Sequence, residues 1–244
     1  LQNPRISIVI PTLHEGKLIA QTLNQFTEEL RRTHRLEVIV SDGGSADETI
    51  GVARAHADSL ITNESGLKQT ISIGRNAGAR VARGDILMFI NADTLIDDIA
   101  SFFPAMCNIM DRRDIAAATC KVRVYRSEES FLDRLFHGFY NLYFWLLNIT
   151  GVGMGRGECQ VVRRELFWKA GGYNEAIAAG EDFDLFVRLR REGKIAFFRS
   201  LTVRESPRRY RKYGYLWITL LWFINAVAVL VLHRSVADHW KPVR

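Results

Sequence analysis

Runs of consecutive β-branched and apolar residues alternate, through the first half of the chain, with segments in which apolar residues recur every three or four positions. ISIVI at 6–10 stops at Pro11, LEVIVS at 36–41 stops at Asp42-Gly43-Gly44, and DILMFI occupies 85–90. Each reads as a strand. None alternates apolar with polar side chains, so the runs predict parallel strands covered on both faces. Between the first two, Ile19, Leu23, Phe26 and Leu30 fall at helical spacing, with Glu28, Glu29, Arg31 and Arg32 outside it. Ser45-Ala46-Asp47-Glu48 has the pattern of a capping box opening a further helix, with Ile50 and Ala53 turned to the sheet. The pattern predicts an α/β fold whose ligand-binding loops lie at the carboxyl ends of the strands.

The second half is less regular. RRELFWKAGG at 163–172 and EDFDLFVRLRREG at 181–193 read as helices closed by glycine, and IAFFRSLTV at 195–203 as a strand. Two stretches, 138–155 and 213–232, carry no charged side chain. Asn141, Asn148 and the glycines make the first a poor membrane span. The second is about the ~20 residues needed to cross a bilayer but is interrupted by Asn225, so a packed or surface-lying helix is expected ahead of a span. Arg208-Arg209-Tyr210-Arg211-Lys212 precedes it as a basic, aromatic flank. No linker rich in Pro, Gly or Ser divides the chain. The expected organisation is one domain over 1–207, with halves 1–98 and 99–207, and a basic and apolar tail over 208–244.

Composition narrows the partners. The 244 residues are 48% hydrophobic and 25% charged, which excludes wholesale disorder. Cys107, Cys120 and Cys159 form no CxxC pair, which argues against a zinc knuckle or disulfide framework and suits a reducing compartment. The net charge of +6 suggests phosphates or a lipid surface as partners and is too small and too evenly spread to indicate nucleic acid. The opening residues show no secretory leader.

Four short motifs sit where strands end or helices begin: Pro11-Thr12-Leu13-His14-Glu15, Ser41-Asp42-Gly43-Gly44-Ser45, Gly74-Arg75-Asn76-Ala77-Gly78 and Asn91-Ala92-Asp93. Glu181-Asp182 follows downstream, after a turn at Gly171-Gly172-Tyr173. Singly each is weak. Together, in this order, they resemble the family 2 glycosyltransferases over roughly residues 5–205. The resemblance implies a GT-A type α/β fold, with a mixed, mainly parallel central sheet flanked by helices, followed here by a C-terminal apolar helix. Residues 1–98 would then be the nucleotide-sugar half and 99–207 the acceptor half.

The chemistry of the residues agrees. Asp42 can accept hydrogen bonds from a uracil or guanine edge, or can simply initiate its turn, while Thr12 and Glu15 can reach base or ribose. Arg75 offers a fork to a phosphate or base, or belongs to a solvated helix face; Lys68 is a second candidate. The resemblance places Pro11, Thr12, Glu15, Asp42, Gly43, Arg75, Asn91, Ala92 and Asp93 around the nucleotide sugar. Asp93 matches the last acid of a DxD metal motif for Mg²⁺ or Mn²⁺, whose first acid is here Asn91. Asp182 is the expected general base, with Glu181 orienting the site and Asp184 as substitute; attraction of acids to a helix start accounts for all three without selecting one. Arg208, Arg209 and Arg211 are expected to hold a diphosphate or a lipid headgroup.

The resemblance implies inverting transfer of a single sugar from a UDP- or GDP-linked donor to a hydroxyl or lipid-linked acceptor. The expected location is the cytoplasm, at the inner face of the membrane, with peripheral contact through the tail. The competing expectation is a non-catalytic nucleotide-sugar-binding relative whose metal site has decayed at Asn91.

Overall fold

The β-branched runs form the centre of the molecule. The computed structural model describes residues 4–64 and 69–232; Lys68 and the end of the 208–244 tail lie outside them. Ile6–Thr12 (β1), Leu36–Asp42 (β2), Ser59–Thr62 (β3) and Ile86–Ile90 (β4) are parallel neighbours in the order β3-β2-β1-β4. Every residue of β2 and β4 is buried, as strands covered on both faces require. Ile6, Ile8 and Ile10 of β1 face one core, with Ile19 and Leu23 of Gly16–Asn24 (α1) and Ala53 of Thr49–His56 (α3). Val9 faces the opposite core, with Ala79 of Ile71–Val81 (α4). That helix approaches so closely that a Cβ on Gly78 would stand 2.4 Å from Val9 Cγ1.

Beyond β4 the directions mix. Cys159–Arg163 (β7) runs antiparallel between β4 and Ile115–Val124 (β6). Lys194–Glu205 (β8) is parallel to β6, and Thr94–Ile96 (β5) closes the far edge antiparallel to β8. One sheet of order β3-β2-β1-β4-β7-β6-β8-β5 results. Pairing jumps from Cys120–Phe198 to Lys121–Thr202, so residues 199–201 are looped out and β8 bends as it nears the site.

The helices add detail to the sequence pattern in four places. The periodic stretch after β1 divides into α1 and Glu28–His34 (α2), because the Thr27 hydroxyl caps a new helix at Leu30 N. The expected capping box at 45–48 does not form: the Ser45 hydroxyl is taken by Asp42 and His14, and α3 begins at Thr49. Of the two acids before Ile99–Met110 (α5), only Asp98 caps it; Asp97 pairs with Arg126 and Arg204. The uncharged stretch 138–155 is largely a helix that starts earlier, Phe131–Ile149 (α6), opened by a Ser130–Asp133 capping box.

Arg164–Lys169 (α7) and Glu181–Leu189 (α8) follow, then Arg208–Tyr213 (α9) and Tyr215–Leu232 (α10). Among the described residues no helix is long and apolar enough to cross a membrane.

Candidate active site

The loops after β1 and β2 are stitched together at the carboxyl edge of the sheet. Asp42 is fully buried, and its carboxylate accepts from Thr12 Oγ1 at 3.0 Å, Ser45 Oγ at 2.5 Å, Gly44 N at 2.9 Å and Ser45 N at 2.7 Å. Both oxygens thus serve the turn. Gly43 N donates to Thr12 O, and His14, forced to a φ of +54°, donates its N–H to Ser45 Oγ. Pro11 lies against α4 where Gly74 leaves room for it.

The turn after β4 meets these loops through an arginine distant in sequence. Ala92 is buried, and its carbonyl accepts from Thr22 Oγ1; the Asp93 carbonyl accepts from Tyr125 OH. The Asp93 carboxylate lies 3.1 Å from Arg208 Nη2, which also donates to Glu15 Oε1 at 2.7 Å. Burial pushes the Asp93 carboxyl above its ordinary range, and the Arg208 charge pulls against it. Glu15, Asp93 and Arg208 therefore form one cluster. Arg209 adds a second positive charge near Asp93. Arg211 does not join them. It clamps the fully buried Asp133 at the start of α6 with both Nη atoms.

Arg75 is completely buried rather than solvated: Nη1 donates to Glu181 Oε1 at 2.8 Å, Nη2 to Asn91 Oδ1 at 3.2 Å and Gly157 O at 2.9 Å. It stacks over Tyr173 with 5.1 Å to the ring centroid. One side chain thus ties the β4 turn to the first residue of α8. Gly180, at a φ of +85°, turns the chain into that helix. The next residue, Asp182, has its carboxyl pushed up to about 7 by burial and by the neighbouring Glu181, with Arg75 opposing. Gly157 lies between: a Cβ there would stand 3.3 Å from Arg75 Nη2 and 3.7 Å from Asp182 Oδ2. Asp184 instead pairs with Arg188 on its own helix.

The model of glycosyl transferase family 2 matches residues 7–171. The chain belongs to glycosyl transferase family 2. Among curated relatives of this family 2 glycosyltransferase, the probable glycosyltransferase YdaM of Bacillus subtilis (strain 168) is 24% identical over 221 residues, 85% of this chain and 52% of its own length. A validoxylamine A glucosyltransferase of Streptomyces hygroscopicus subsp. jinggangensis (strain 5008) is 26% identical over 231 residues, 78% of this chain and 52% of its own. The chain spans about half the length of these curated relatives. Among solved structures, the mannosyltransferase PcManGT from Pyrobaculum calidifontis, in complex with GDP-Man and Mn²⁺, matches with a TM-score of 0.75 at 20% identity, over 99% of this chain and 66% of that one. The shared architecture is the GT-A fold.

The sequence did not reveal a buried ionic group beneath the family 2 site. Arg156 pairs with Glu158 at 3.1 Å and Glu205 at 3.4 Å, and Tyr210 OH donates to Glu205. Burial raises both acids; Arg156 more than reverses this for Glu158, while Glu205, facing Glu158, stays well above its ordinary range. His137 beside them is held neutral, lowered to about 3 by burial and the Arg156 charge. The available signal was two charges set inside a glycine run, Gly155-Arg156-Gly157-Glu158.

For a divalent ion, the described residues contain no cluster of three or more His, Cys, Asp or Glu side chains. The donor set nonetheless suits Mg²⁺ or Mn²⁺, which needs one or two carboxylates and takes its other oxygens from phosphates and water. Asp93 and Glu15 both reach a single cationic group, at present the Arg208 guanidinium. Asn91 Oδ1 accepts from Arg75 and is thus engaged at the motif's first position.

Proposed function

We propose that this family 2 chain is an inverting glycosyltransferase that moves one sugar from a UDP- or GDP-linked donor to a hydroxyl or lipid-linked acceptor. The observation that carries the reading is the Asn91–Arg75–Glu181 connection. It couples the turn bearing Asp93 to the helix start bearing Asp182, the two acids that displacement at an anomeric carbon requires. Base and ribose lie against the β1 and β2 loops, whose shape Asp42 maintains.

Asp93, with Glu15 nearby, would hold Mg²⁺ or Mn²⁺, which when bound supplies Lewis-acid neutralisation of the departing diphosphate. Arg208 and Arg209 add positive charge on the same side of the site. Asp182 accepts the proton of the attacking hydroxyl, and Glu181, fixed by Arg75, orients it. Direct displacement gives inversion without a covalent enzyme intermediate. The proposed setting is the cytoplasmic face of a membrane. The PcManGT complex contains GDP-Man and Mn²⁺, and a 25% identical relative over 170 residues is a dolichyl-phosphate beta-glucosyltransferase of Mus musculus.

A second reading, a nucleotide-sugar-binding protein without turnover, draws on the engagement of Asn91 by Arg75. Thermal shift with UDP and GDP, with and without Mn²⁺, followed by a transfer assay, separates the two. Nucleotide at a hundred times its Kd should stabilise the fold by about 2.7 kcal/mol. A shift that grows with Mn²⁺, together with product formation, supports the enzyme; a shift without product across the donors supports the binding protein.

A further inference from the structure

Helix α6 is built inside out. Its polar side chains face the protein: Asp133 and His137 are buried, Asn141 pairs with both backbone groups of Val122, and Asn148 holds Met154. Its solvent face carries Phe131, Leu135, Phe139, Leu142, Leu146 and Ile149, with Phe139 63% exposed, and Arg134 is the one charge on that face. A helix on a water-facing surface has the reverse pattern. The stripe runs the length of the helix, about 28 Å at ~1.5 Å per residue.

Helix α10 widens this stripe. Tyr140 meets Trp222 edge-on at 5.2 Å and its hydroxyl reaches Thr219 Oγ1 at 3.3 Å, so the two helices lie side by side. The outer residues Leu216, Trp217, Leu220 and Phe223 are exposed too, Leu216 by 88%. Apolar patches of this extent mark interaction surfaces.

Along the other flank of α6 lies a cavity of about 300 Å³, lined among others by Lys121, Arg123, Arg134, Trp145 and Arg199. The Arg199 guanidinium stacks over Trp145 at 4.8 Å. The one acid here is Glu129, engaged by Arg123 and Arg134, so the flank remains positive.

We infer that the α6–α10 face docks on an anionic lipid bilayer, with the apolar stripe among the acyl chains and the Lys121–Arg134–Arg199 flank on the headgroup phosphates. Charge complementarity selects this occupant. A bilayer surface offers an apolar layer bordered by negative charge, and Trp217, Tyr143 and Trp145 are the amphipathic aromatics such a boundary favours. A two-fold contact of the face with itself would bring both basic flanks into one interface, with no acid on the outer face of α6 to answer them. This face differs from the basic run 208–212, whose Arg208 and Arg211 turn inward to Glu15, Asp93 and Asp133. Docking here does not depend on the sugar-transfer reading, although α9, which begins at Arg208, leads directly into α10.

The test is flotation of the whole chain with phosphatidylcholine vesicles, pure or mixed with phosphatidylglycerol. Partitioning should favour the anionic vesicles, and Phe139→Glu with Leu142→Glu should cut it about tenfold or more. Arg134→Gln with Arg199→Gln should abolish the anionic preference while leaving weak binding to both. Val81→Glu, an exposed apolar position on α4, should change nothing. The cooperative thermal unfolding transition verifies that each variant is folded, and any nucleotide-induced shift reports independently on the donor site. Absence of vesicle binding, or binding indifferent to the Phe139 and Leu142 changes, overturns the inference. A dimer in solution that those same changes dissociate also overturns it, assigning the face to a second copy.

Discussion

The Arg208 guanidinium sits 3.1 Å from the Asp93 carboxylate. The same Nη2 atom holds Glu15, 193 residues away in sequence. Through Arg208, α9 thus neutralises two carboxylates, those of Glu15 and Asp93.

Removing that charge should have opposite effects on two ligands. Arg208→Ala should tighten binding of Mn²⁺ alone, by exposing Asp93 and Glu15, and weaken UDP or GDP, by removing a phosphate partner. Losing the partner of a nearly buried carboxylate should cost about 1–3 kcal/mol of stability. Calorimetric titration of Mn²⁺ and nucleotide, with urea unfolding, measures all three. Equal weakening of both ligands would contradict the competition.

Asp182→Asn should lower transfer by about 10²–10⁴-fold and leave nucleotide binding intact. With the Asp182 carboxyl at about 7, it is half ionised near neutrality, so if it serves as the proposed base, turnover should rise with pH through 7 and flatten above it. Stability moves the other way. The folded carboxyl keeps its proton where the unfolded one, near 3.8, has lost it, so between about pH 4 and 7 stability falls as pH rises. The asparagine variant should lack both slopes, in rate profiles and in urea midpoints.

Arg75 is a structural keystone under the site. Arg75→Met strands Glu181 beneath the surface, a change that typically costs about 3–5 kcal/mol, and should also lower turnover by releasing the start of α8. Pairing it with Glu181→Gln should recover a large part of the stability but little activity. Urea unfolding of the four-member mutant cycle gives the coupling.

Two glycines provide a calibrated contrast. Gly78→Ala forces a methyl to 2.4 Å from Val9 and should destabilise by about 1–3 kcal/mol. Gly51→Ala, at an exposed position of α3 with nothing within 4 Å, should stabilise by about 0.4–1 kcal/mol. Thermal melts of both variants measure the difference.

The strands β1, β2 and β4 were legible because burial on both faces writes unbroken apolar runs. The turns at Asp42 and Asp93, weak singly, were legible as members of an ordered set of motifs at strand ends. Arg75 was not: an arginine among small residues on a helix reads as solvated, and only the tertiary arrival of Glu181, Asn91 and Gly157 makes it a buried hub. The Arg208–Glu15 contact was hidden by its separation in sequence, and Arg211 by Asp133, whose capping role gave no hint of a second partner. Strand β7 escaped notice because its five residues run directly into α7.

The placement of β5 and β7 has a consequence for how the chain reaches its native state. Residues 94–96 belong to the first half in sequence yet close the far edge of the sheet on β8, while 159–163 of the second half are inserted against β4. The halves are interlaced like clasped fingers. A fragment ending near residue 98 would leave Ile-Leu-Met-Phe-Ile of β4 as a bare edge, open to pairing with its own copies. Residues 1–98 and 99–207 are therefore not separate folding units, and the chain should acquire its structure in one late, cooperative step dominated by long-range strand closure.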